Sequence, residues 1–252
     1  MIKYGLKLWS INRDYFPQAV NFYKKGLIDF VELYIVPNTF QYKEFNVLKN
    51  IPIQIHAPHA LHGFNIFQLD KERIRLFKSQ VIKAADFLNA KYIILHAGVG
   101  NDPEIFKKNI AKIYDKRIII ENKPKWGLNN KICFGYSYSQ LKVIKEKRRL
   151  NICLDVGHAI KSAISQKKDY KKYLRILIKA LKPNYFHICD GFLKNEKDEH
   201  LNMGEGDFDL KWIKGQITQL TNKHMVYLLF ETPKKNNDLQ NDIKNIVYFE
   251  DL

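Results

Sequence analysis

Short runs of β-branched and aromatic residues recur along the chain, and each is followed by a longer segment in which apolar residues return every three or four positions. The first pattern is typical of buried strands, and the second is typical of helices that turn one face to a core. Their alternation predicts parallel strands joined by crossover helices. The predicted strands are residues 2–9, 29–35, 52–57, 92–97, 117–122, 151–156, 185–190 and 226–232. The predicted helices lie near residues 14–25, 41–49, 70–89, 103–114, 138–147, 166–181, 209–221 and 236–247.

Eight strand–helix units in 252 residues favour an α/β fold of the closed (β/α)8 TIM barrel type over an open doubly wound sheet. An open sheet usually has fewer strands and a glycine-rich phosphate turn after the first strand, and the sequence contains no G-x-G-x-x-G or P-loop motif. No segment has the composition of a linker. The sequence therefore predicts a single domain over residues 1–252.

The composition argues against a membrane protein. No run of about 18 uncharged apolar residues occurs, and the first residues lack the apolar stretch of a secretory signal. The three cysteines, Cys133, Cys153 and Cys189, form no C-x-x-C pair and are an odd number, which argues against a disulfide framework. We expect a cytoplasmic protein without membrane partners, acting as a monomer.

The chain is strongly basic, with a net charge of +16 and an isoelectric point near 9.5. A positive field attracts polyanions such as nucleic acids and raises their encounter rate. A general bias towards Lys and Asn, visible in KKNNDLQNDIKN (residues 234–245), explains the charge equally well. The charge alone leaves both interpretations open.

Ionisable side chains collect at the carboxyl ends of the predicted strands, which is where the active site of a TIM barrel lies. Strands three to eight supply, in order, His56, His96, Glu121, Asp155, His187 and Glu231. The predicted loops add His158, Asp198 and His200. Of the eight histidines, only His224 falls clearly away from this end of the barrel.

Each of these residues taken alone has an ordinary structural explanation. A single histidine at a strand end is more often a hydrogen-bonded structural residue than a ligand, and a glutamate there can belong to an ion pair or to an acid–base pair. Together they indicate divalent cations, because unpaired buried carboxylates are costly and a metal balances them most simply. Oxygen and imidazole ligands without thiolate suit Zn²⁺, Mn²⁺ or Fe²⁺.

The series IHAPH, LHAG, IENK, LDVGHA, FHICD, DEH with GEGD, and ETP resembles the xylose isomerase-like barrel superfamily, and within it the endonuclease IV branch, over nearly the whole chain. The resemblance implies up to three zinc ions in a row. His56, His96 and Glu121 would hold the first ion. The second would be held by Glu121 together with Asp155, His187 and Glu231, and the third by His158, Asp198 and His200. Each position has the residue type that the branch uses.

The same resemblance implies hydrolysis of a DNA phosphodiester on the 5′ side of an abasic site, a step of DNA base excision repair. The partner would be duplex DNA with abasic sites. Glu121 would be the catalytic bridging ligand, and Glu231 a catalytic ligand close to the attacking water. No serine or cysteine nucleophile is then required.

Such an enzyme turns the abasic nucleotide out of the helix and fills the gap with side chains. The loop VPNTFQY after strand two has no arginine where the branch usually inserts one, and His59 stands where a tyrosine is common. Besides His59, the candidates for stacking against DNA are Tyr34, Phe40 and Tyr42, each of which could instead serve to pack the loop.

These departures keep a second class of enzyme open. Sugar isomerases and epimerases of the superfamily keep a Glu–Asp–His–Glu set around one metal, and act on a small sugar or sugar phosphate by exchanging a proton between two glutamates and a sugar carbon. The matching residues are Glu121, Asp155, His187 and Glu231. A one-metal isomerase has little chemical reason to keep His96, His158, Asp198 and His200 together, which favours hydrolysis. A catalytically silent barrel is disfavoured, because every ligand position is filled.

Overall fold

The computed structural model describes residues 1–127, 130–148, 150–234 and 238–252. Within these residues, eight parallel strands form a closed barrel in which each strand pairs with the next and the last pairs with the first. The strands are β1 (Ile2–Trp9), β2 (Phe30–Tyr34), β3 (Ile53–His56), β4 (Ile93–His96), β5 (Ile118–Glu121), β6 (Asn151–Asp155), β7 (Tyr185–Ile188) and β8 (Val226–Phe230). The predicted TIM barrel is confirmed, and each strand end lies within two residues of its predicted place.

The helices follow the strands and surround the barrel. They are α1 (Phe16–Lys24), α2 (Tyr42–Phe45), α3 (Lys71–Leu76), α4 (Lys83–Phe87), α5 (Pro103–Ile110), α6 (Tyr138–Arg148), α7 (Val156–Ser165), α8 (Tyr170–Leu181), α9 (Leu210–Thr218) and α10 (Gln240–Asp251). A π-helical segment, Phe77–Ile82, joins α3 to α4 and accounts for the long helix predicted there. Within the described residues, no helix is long and apolar enough to cross a membrane.

Two helix predictions were wrong. The residues that follow β6 form helix α7, where a loop was predicted. The next helix, predicted from residue 166, begins at Tyr170 and ends at residue 181 as predicted. The last helix runs from Gln240 to Asp251, four residues later than predicted at both ends. Residues 236 and 237 of that prediction lie outside the described residues.

The local sequence explains why these elements form. Strands β2, β3, β5 and β7 are buried along their whole length, because a barrel strand packs on the interior with one face and on helices with the other. Helix α8 shows the complementary pattern and buries one stripe, formed by Tyr173, Leu174, Leu177 and Leu181. Aspartates accept backbone N–H groups at the starts of five helices and fix where these begin: Asp70, Asp102, Asp155, Asp169 and Asp209.

The barrel interior changes from apolar to charged over a short distance. One interior cluster is formed by Phe30, Ile94, Ile119, Cys153, Tyr185 and Leu229. Because side chains alternate along a strand, the residue two positions further faces the interior again. In these strands that residue is ionisable, and the set is Glu32, His96, Glu121, Asp155, His187 and Glu231. The fold thus places an ionisable layer directly above an apolar one.

Candidate metal centre

The carboxyl end of the barrel brings together all nine side chains predicted as metal ligands. Within the described residues, four groups offer ligand atoms that lie within 4.8 Å of one another. The first group is His56, His96 and Glu121, and the second is Glu121, Asp155 and His187. The third group is His158, Asp198 and His200. The remaining group, called the Glu32 group, is Glu32, His187 and Glu231. Glu32 was missed by the sequence analysis. That any of these residues binds metal stays a prediction.

In the first group, two imidazoles face one carboxylate oxygen. His56 Nε2 lies 3.1 Å and His96 Nε2 lies 3.2 Å from Glu121 Oε2. Burial lowers the pKa of His96 well below its ordinary value, although Glu121 acts to raise it. A lowered pKa favours the neutral form of His96, which is the form that binds a metal.

The second group is centred on two buried carboxylates whose pKa values are shifted in opposite directions. Burial opposes ionisation of Glu121, but His96 and Lys123 act against it, so the pKa of Glu121 lies well below its usual range. Burial raises the pKa of Asp155 to about 6, although His158 acts to lower it. Asp155 Oδ2 and His187 Nδ1 are buried and have no hydrogen-bond partner among the described residues. A cation between them would satisfy both atoms.

The third group joins α7 to the long segment between β7 and α9. His158 lies in the first turn of α7 rather than in a loop as predicted, because Asp155 Oδ1 caps the helix by accepting the His158 N–H at 2.6 Å. His158 Nε2 lies 3.2 Å and His200 Nε2 lies 2.5 Å from Asp198 Oδ2. Asp198 Oδ1 is buried without a hydrogen-bond partner in the part of the chain that the structure describes.

Backbone carbonyls orient three of the imidazoles. The Nδ1 atoms of His56, His158 and His200 lie 2.7, 2.9 and 2.9 Å from the carbonyl oxygens of Ala57, Asn122 and Glu231. A proton on Nδ1 donated to a carbonyl leaves the Nε2 lone pair directed into the groups. Together with the unpartnered oxygens, this fits the residues to divalent cations.

Two lysines that the sequence analysis did not single out stand among these carboxylates. Lys7 on β1 contacts Glu231 Oε1 and lies 3.1 Å from Glu32 Oε1. Burial lowers the pKa of Lys7, but Glu231 and Glu32 raise it above its ordinary value, so the group is an ammonium. Lys123 Nζ lies 3.4 Å from Glu121 Oε1 and 3.4 Å from His158 Nε2. Counting every second residue along β1 and β2 would have found both Lys7 and Glu32.

The segment from residue 189 to 209 is held by carboxylates that point away from the metal groups. Asp190 accepts backbone N–H groups at 2.8 to 3.0 Å from Gly191, Gly204 and Gly206, which closes the GEGD turn. Glu199 accepts the Lys161 ammonium and the Phe192 N–H, both at 2.8 Å. The neighbours of Glu199 in sequence, Asp198 and His200, are thereby left to face His158, the third member of their group.

Of the four residues predicted to contact DNA, two lie beside the first group. The His59 ring stacks on His96 with centroids 5.3 Å apart, and burial lowers the pKa of His59 to about 3. Tyr34 is buried, its hydroxyl accepts the His59 N–H at 3.0 Å, and the same oxygen lies 2.6 Å from His62 Nδ1. Tyr34 therefore supports the loop after β3 that carries His59 and His62. Contact of either residue with DNA stays a prediction.

The other two lie further out. Phe40 packs edge-on against Phe45 and Phe87, whereas Tyr42 is 53% exposed. Trp9, which the sequence analysis did not single out, ends β1 and is 38% exposed, with its ring 5.0 Å from the Tyr34 ring. A flat aromatic face at the mouth of the barrel is open to stacking.

Comparison with known proteins finds relatives in sequence. A family model described as xylose isomerase-like TIM barrel matches residues 41–247. A probable endonuclease 4 of Thermosipho melanesiensis is 30% identical over 182 residues, which cover 63% of this chain and 62% of that relative. The match thus spans less than two thirds of the length of that relative.

Solved structures share the fold. Endonuclease IV from Thermus thermophilus has a TM-score of 0.72 at 19% identity, with 99% of this chain and 100% of that chain covered. The 3-keto-D-glucoside 4-epimerase from E. coli has a TM-score of 0.65 at 12% identity, with 100% of each chain covered. At these identities the likeness shows the fold alone, and the fold serves both a nuclease and an epimerase.

Proposed function

The chain belongs to the family of xylose isomerase-like TIM barrels, and from this premise we propose that it is a zinc-dependent phosphodiester hydrolase that cleaves duplex DNA 5′ to abasic sites. The observation that carries the proposal is the convergence of three ligand groups at one end of the barrel, two of which contain buried atoms without a hydrogen-bond partner among the described residues: Asp155 Oδ2 and His187 Nδ1 in the second group, and Asp198 Oδ1 in the third. Similarity to a protein named probable endonuclease 4 supports it. In this function the basic chain would supply phosphate contacts that do not depend on base sequence.

Each of the three groups would hold one ion, and Glu231 would complete the second. Bound divalent ions would lower the pKa of a water molecule, polarise the phosphodiester and stabilise the leaving alkoxide. Zn²⁺ fits the mixture of imidazole and carboxylate donors, as Mn²⁺ and Fe²⁺ also do.

Glu121 would connect the first and second groups. Its Oε2 atom lies 3.1 Å from His56 Nε2, 3.2 Å from His96 Nε2 and 3.5 Å from His187 Nδ1. One carboxylate oxygen is therefore within reach of ligands of both groups. This geometry supports the bridging role.

Glu231 would accept a hydrogen bond from the attacking water. Its side chain is 11% exposed at the mouth of the barrel, and its Oε1 atom contacts the Lys7 ammonium and lies 3.1 Å from His187 Nδ1. Burial opposes its ionisation, but Lys7 and His187 hold the pKa of Glu231 well below its usual range. It is thus a carboxylate that orients a water molecule rather than an acid. Lys123 adds positive charge between the first and third groups, where a scissile phosphate would gain negative charge.

A second candidate is a divalent-metal-dependent isomerase or epimerase of sugars or sugar phosphates. Lys7 and Lys123 favour it, because each ammonium neutralises charge that a row of ions would otherwise neutralise. One ion at Glu121, Asp155 and His187 would then suffice. The fold shared with the E. coli epimerase is consistent with this candidate.

Metal counting and strand cleavage distinguish the two. Protein purified without chelator should contain about two to three divalent ions per chain. It should also nick a duplex that carries a tetrahydrofuran abasic analogue and leave a 3′-hydroxyl. His96→Ala should abolish nicking, whereas the control His224→Ala, at a histidine near Pro183 O and remote from the groups, should not. A single ion, no nicking and interconversion of a ketose would establish the isomerase instead.

A further inference from the structure

Glu32 is fully buried in β2, yet it belongs to a group that could hold a metal. It shares that group with His187 and Glu231. Its side chain faces the barrel interior two residues beyond Phe30, in the same layer as the predicted ligands. Its contacts decide whether it would bind an ion or support residues that do.

Both oxygens of Glu32 are already engaged by positive or donating groups. Oε2 accepts the Tyr185 hydroxyl at 2.7 Å and lies 2.8 Å from His187 Nε2. Oε1 makes no hydrogen bond among the described residues, but it forms an ion pair at 3.1 Å with the ammonium of Lys7, the residue directly opposite in the β1–β2 pairing, so a positive charge already lies beside it. A carboxylate with this environment is typical of the layer behind metal ligands, where it holds a histidine in place.

We propose that Glu32 is a positioning residue for the second group and Glu231 rather than a metal ligand. It would hold the proton of His187 on Nε2, so that the Nδ1 lone pair faces the other ligands. His187 Nδ1 lies 3.1 Å from Glu231 Oε1 and 3.5 Å from Glu121 Oε2. The inference rests on the metal binding proposed above.

Lys7 extends this support to a second ligand. The same ammonium contacts Glu32 and Glu231, so it fixes the Glu231 carboxylate and offsets part of the buried negative charge. Glu32 therefore acts on His187 directly and on Glu231 through Lys7. Two of the side chains expected around one ion depend on it.

Three other imidazoles are supported differently. His56, His158 and His200 are oriented by backbone carbonyls, which remain after any substitution of a side chain. His187 is oriented by a side chain, which a substitution removes. The ion at the second group should therefore be sensitive to Glu32, and the ion at the third group should not be.

The experiment compares Zn²⁺ affinity, measured by competition with a chromophoric chelator, in the wild type, E32L and E32Q. E32L should lower the affinity for the ion at the second group by about 10- to 100-fold and leave the affinities for the other ions unchanged. E32Q keeps an oxygen that accepts the His187 Nε2–H and should lose less. The matched control is D29N, which removes a lysine–carboxylate pair between Lys3 and Asp29 at the opposite end of the same strands and should change no ion.

A ring ¹H–¹⁵N spectrum provides a readout that a general loss of stability would not alter. His187 Nε2 should carry a proton in the wild type with and without Zn²⁺. If E32L fails to fold, this measurement on the wild type still tests whether Glu32 holds the proton on Nε2. An unprotonated Nε2, unchanged Zn²⁺ affinity in folded E32L, or a loss of affinity in E32Q as large as that in E32L would each overturn the inference. Absence of Zn²⁺ binding by the wild type would instead refute the proposed function, while the protonation of Nε2 could still be read.

Discussion

Lys161 on α7 ties that helix to the segment that carries Asp198 and His200. Its side chain is fully buried. Its Nζ donates to Glu199 Oε2 at 2.8 Å and to the carbonyl oxygens of Phe192 and Asn195 at 2.8 and 3.1 Å. The three donors of the ammonium are thus all used on one segment. We predict that Lys161→Met destabilises the protein and weakens metal binding at the third group.

The magnitude follows from what the substitution leaves behind. Methionine fills most of the buried stem but leaves the Glu199 carboxylate and two carbonyl oxygens without their donor. Removal of one partner of a buried ion pair costs about 3–5 kcal/mol, and an unsatisfied buried acceptor costs about 1–3 kcal/mol. The Glu199 side chain is 19% exposed, so water recovers part of this loss. We expect the free energy of unfolding to fall by about 2–4 kcal/mol.

Urea unfolding of the metal-free protein measures the loss, and a Zn²⁺ competition titration measures the effect on the third group. Glu199→Gln keeps an uncharged acceptor for Lys161 and should show a smaller change in both. The control Lys171→Met removes a lysine that pairs with Asp209 on the surface, and should change neither quantity appreciably. The role given to Lys161 is refuted if Lys161→Met unfolds like the wild type, or if it loses stability while every ion binds as tightly as before.

The GEGD turn, the proposed metal ions and the exposed side chain of His200 give further tests. Gly206→Ala should destabilise the protein, because a Cβ there would lie 2.6 Å from the Gly191 nitrogen and closer to its carbonyl oxygen. Gly215→Ala in α9, where a Cβ meets no atom within 4 Å, should instead stabilise the protein by about 0.5–1 kcal/mol. Urea unfolding measures both variants against the wild type, and changes in unfolding free energy of the same sign would contradict this contrast. Removal of bound metal with a chelator should lower Tm and added Zn²⁺ should restore it, since a ligand of the folded state stabilises that state; an unchanged Tm would argue against metal binding. His200→Ala should sharply reduce nicking of the abasic duplex yet leave urea unfolding nearly unchanged, because this side chain is 38% exposed; full activity would remove the third group from the mechanism.

The strands could be predicted from the sequence because strands of a parallel barrel are covered on both faces and appear as continuous apolar runs, as in β5. The same continuity concealed Lys7 and Glu32, since a single charge inside an apolar run is easily assigned to an outward position. Both lie inside because the barrel closes through the pairing of β1 with β8, a contact between distant parts of the chain. Counting every second residue could have placed both on the inward face, but it contains no signal of the closure that brings β1 beside β8 and Lys7 beside Glu231.

Helix α7 was missed for a local reason. It is short and contains Gly157, a residue type that disfavours helix, in its first turn. Its start depends on Asp155, which the sequence analysis had assigned as a metal ligand alone. Position 158 was therefore recognised as chemically important, but its place on a helix was not.

Because α7 begins at the residue after Asp155, no connecting loop separates β6 from the helix that follows. His158 of the third group is thereby placed beside Asp155 of the second group by three residues of chain, and the two come together as soon as this strand and helix form. Asp198 and His200 lie on the long segment between β7 and α9, which must pack against this strand and helix. Redesign of specificity could therefore vary this segment around its anchors and its two proposed ligands, whereas replacement of Asp155 would disturb the start of α7 together with the proposed coordination.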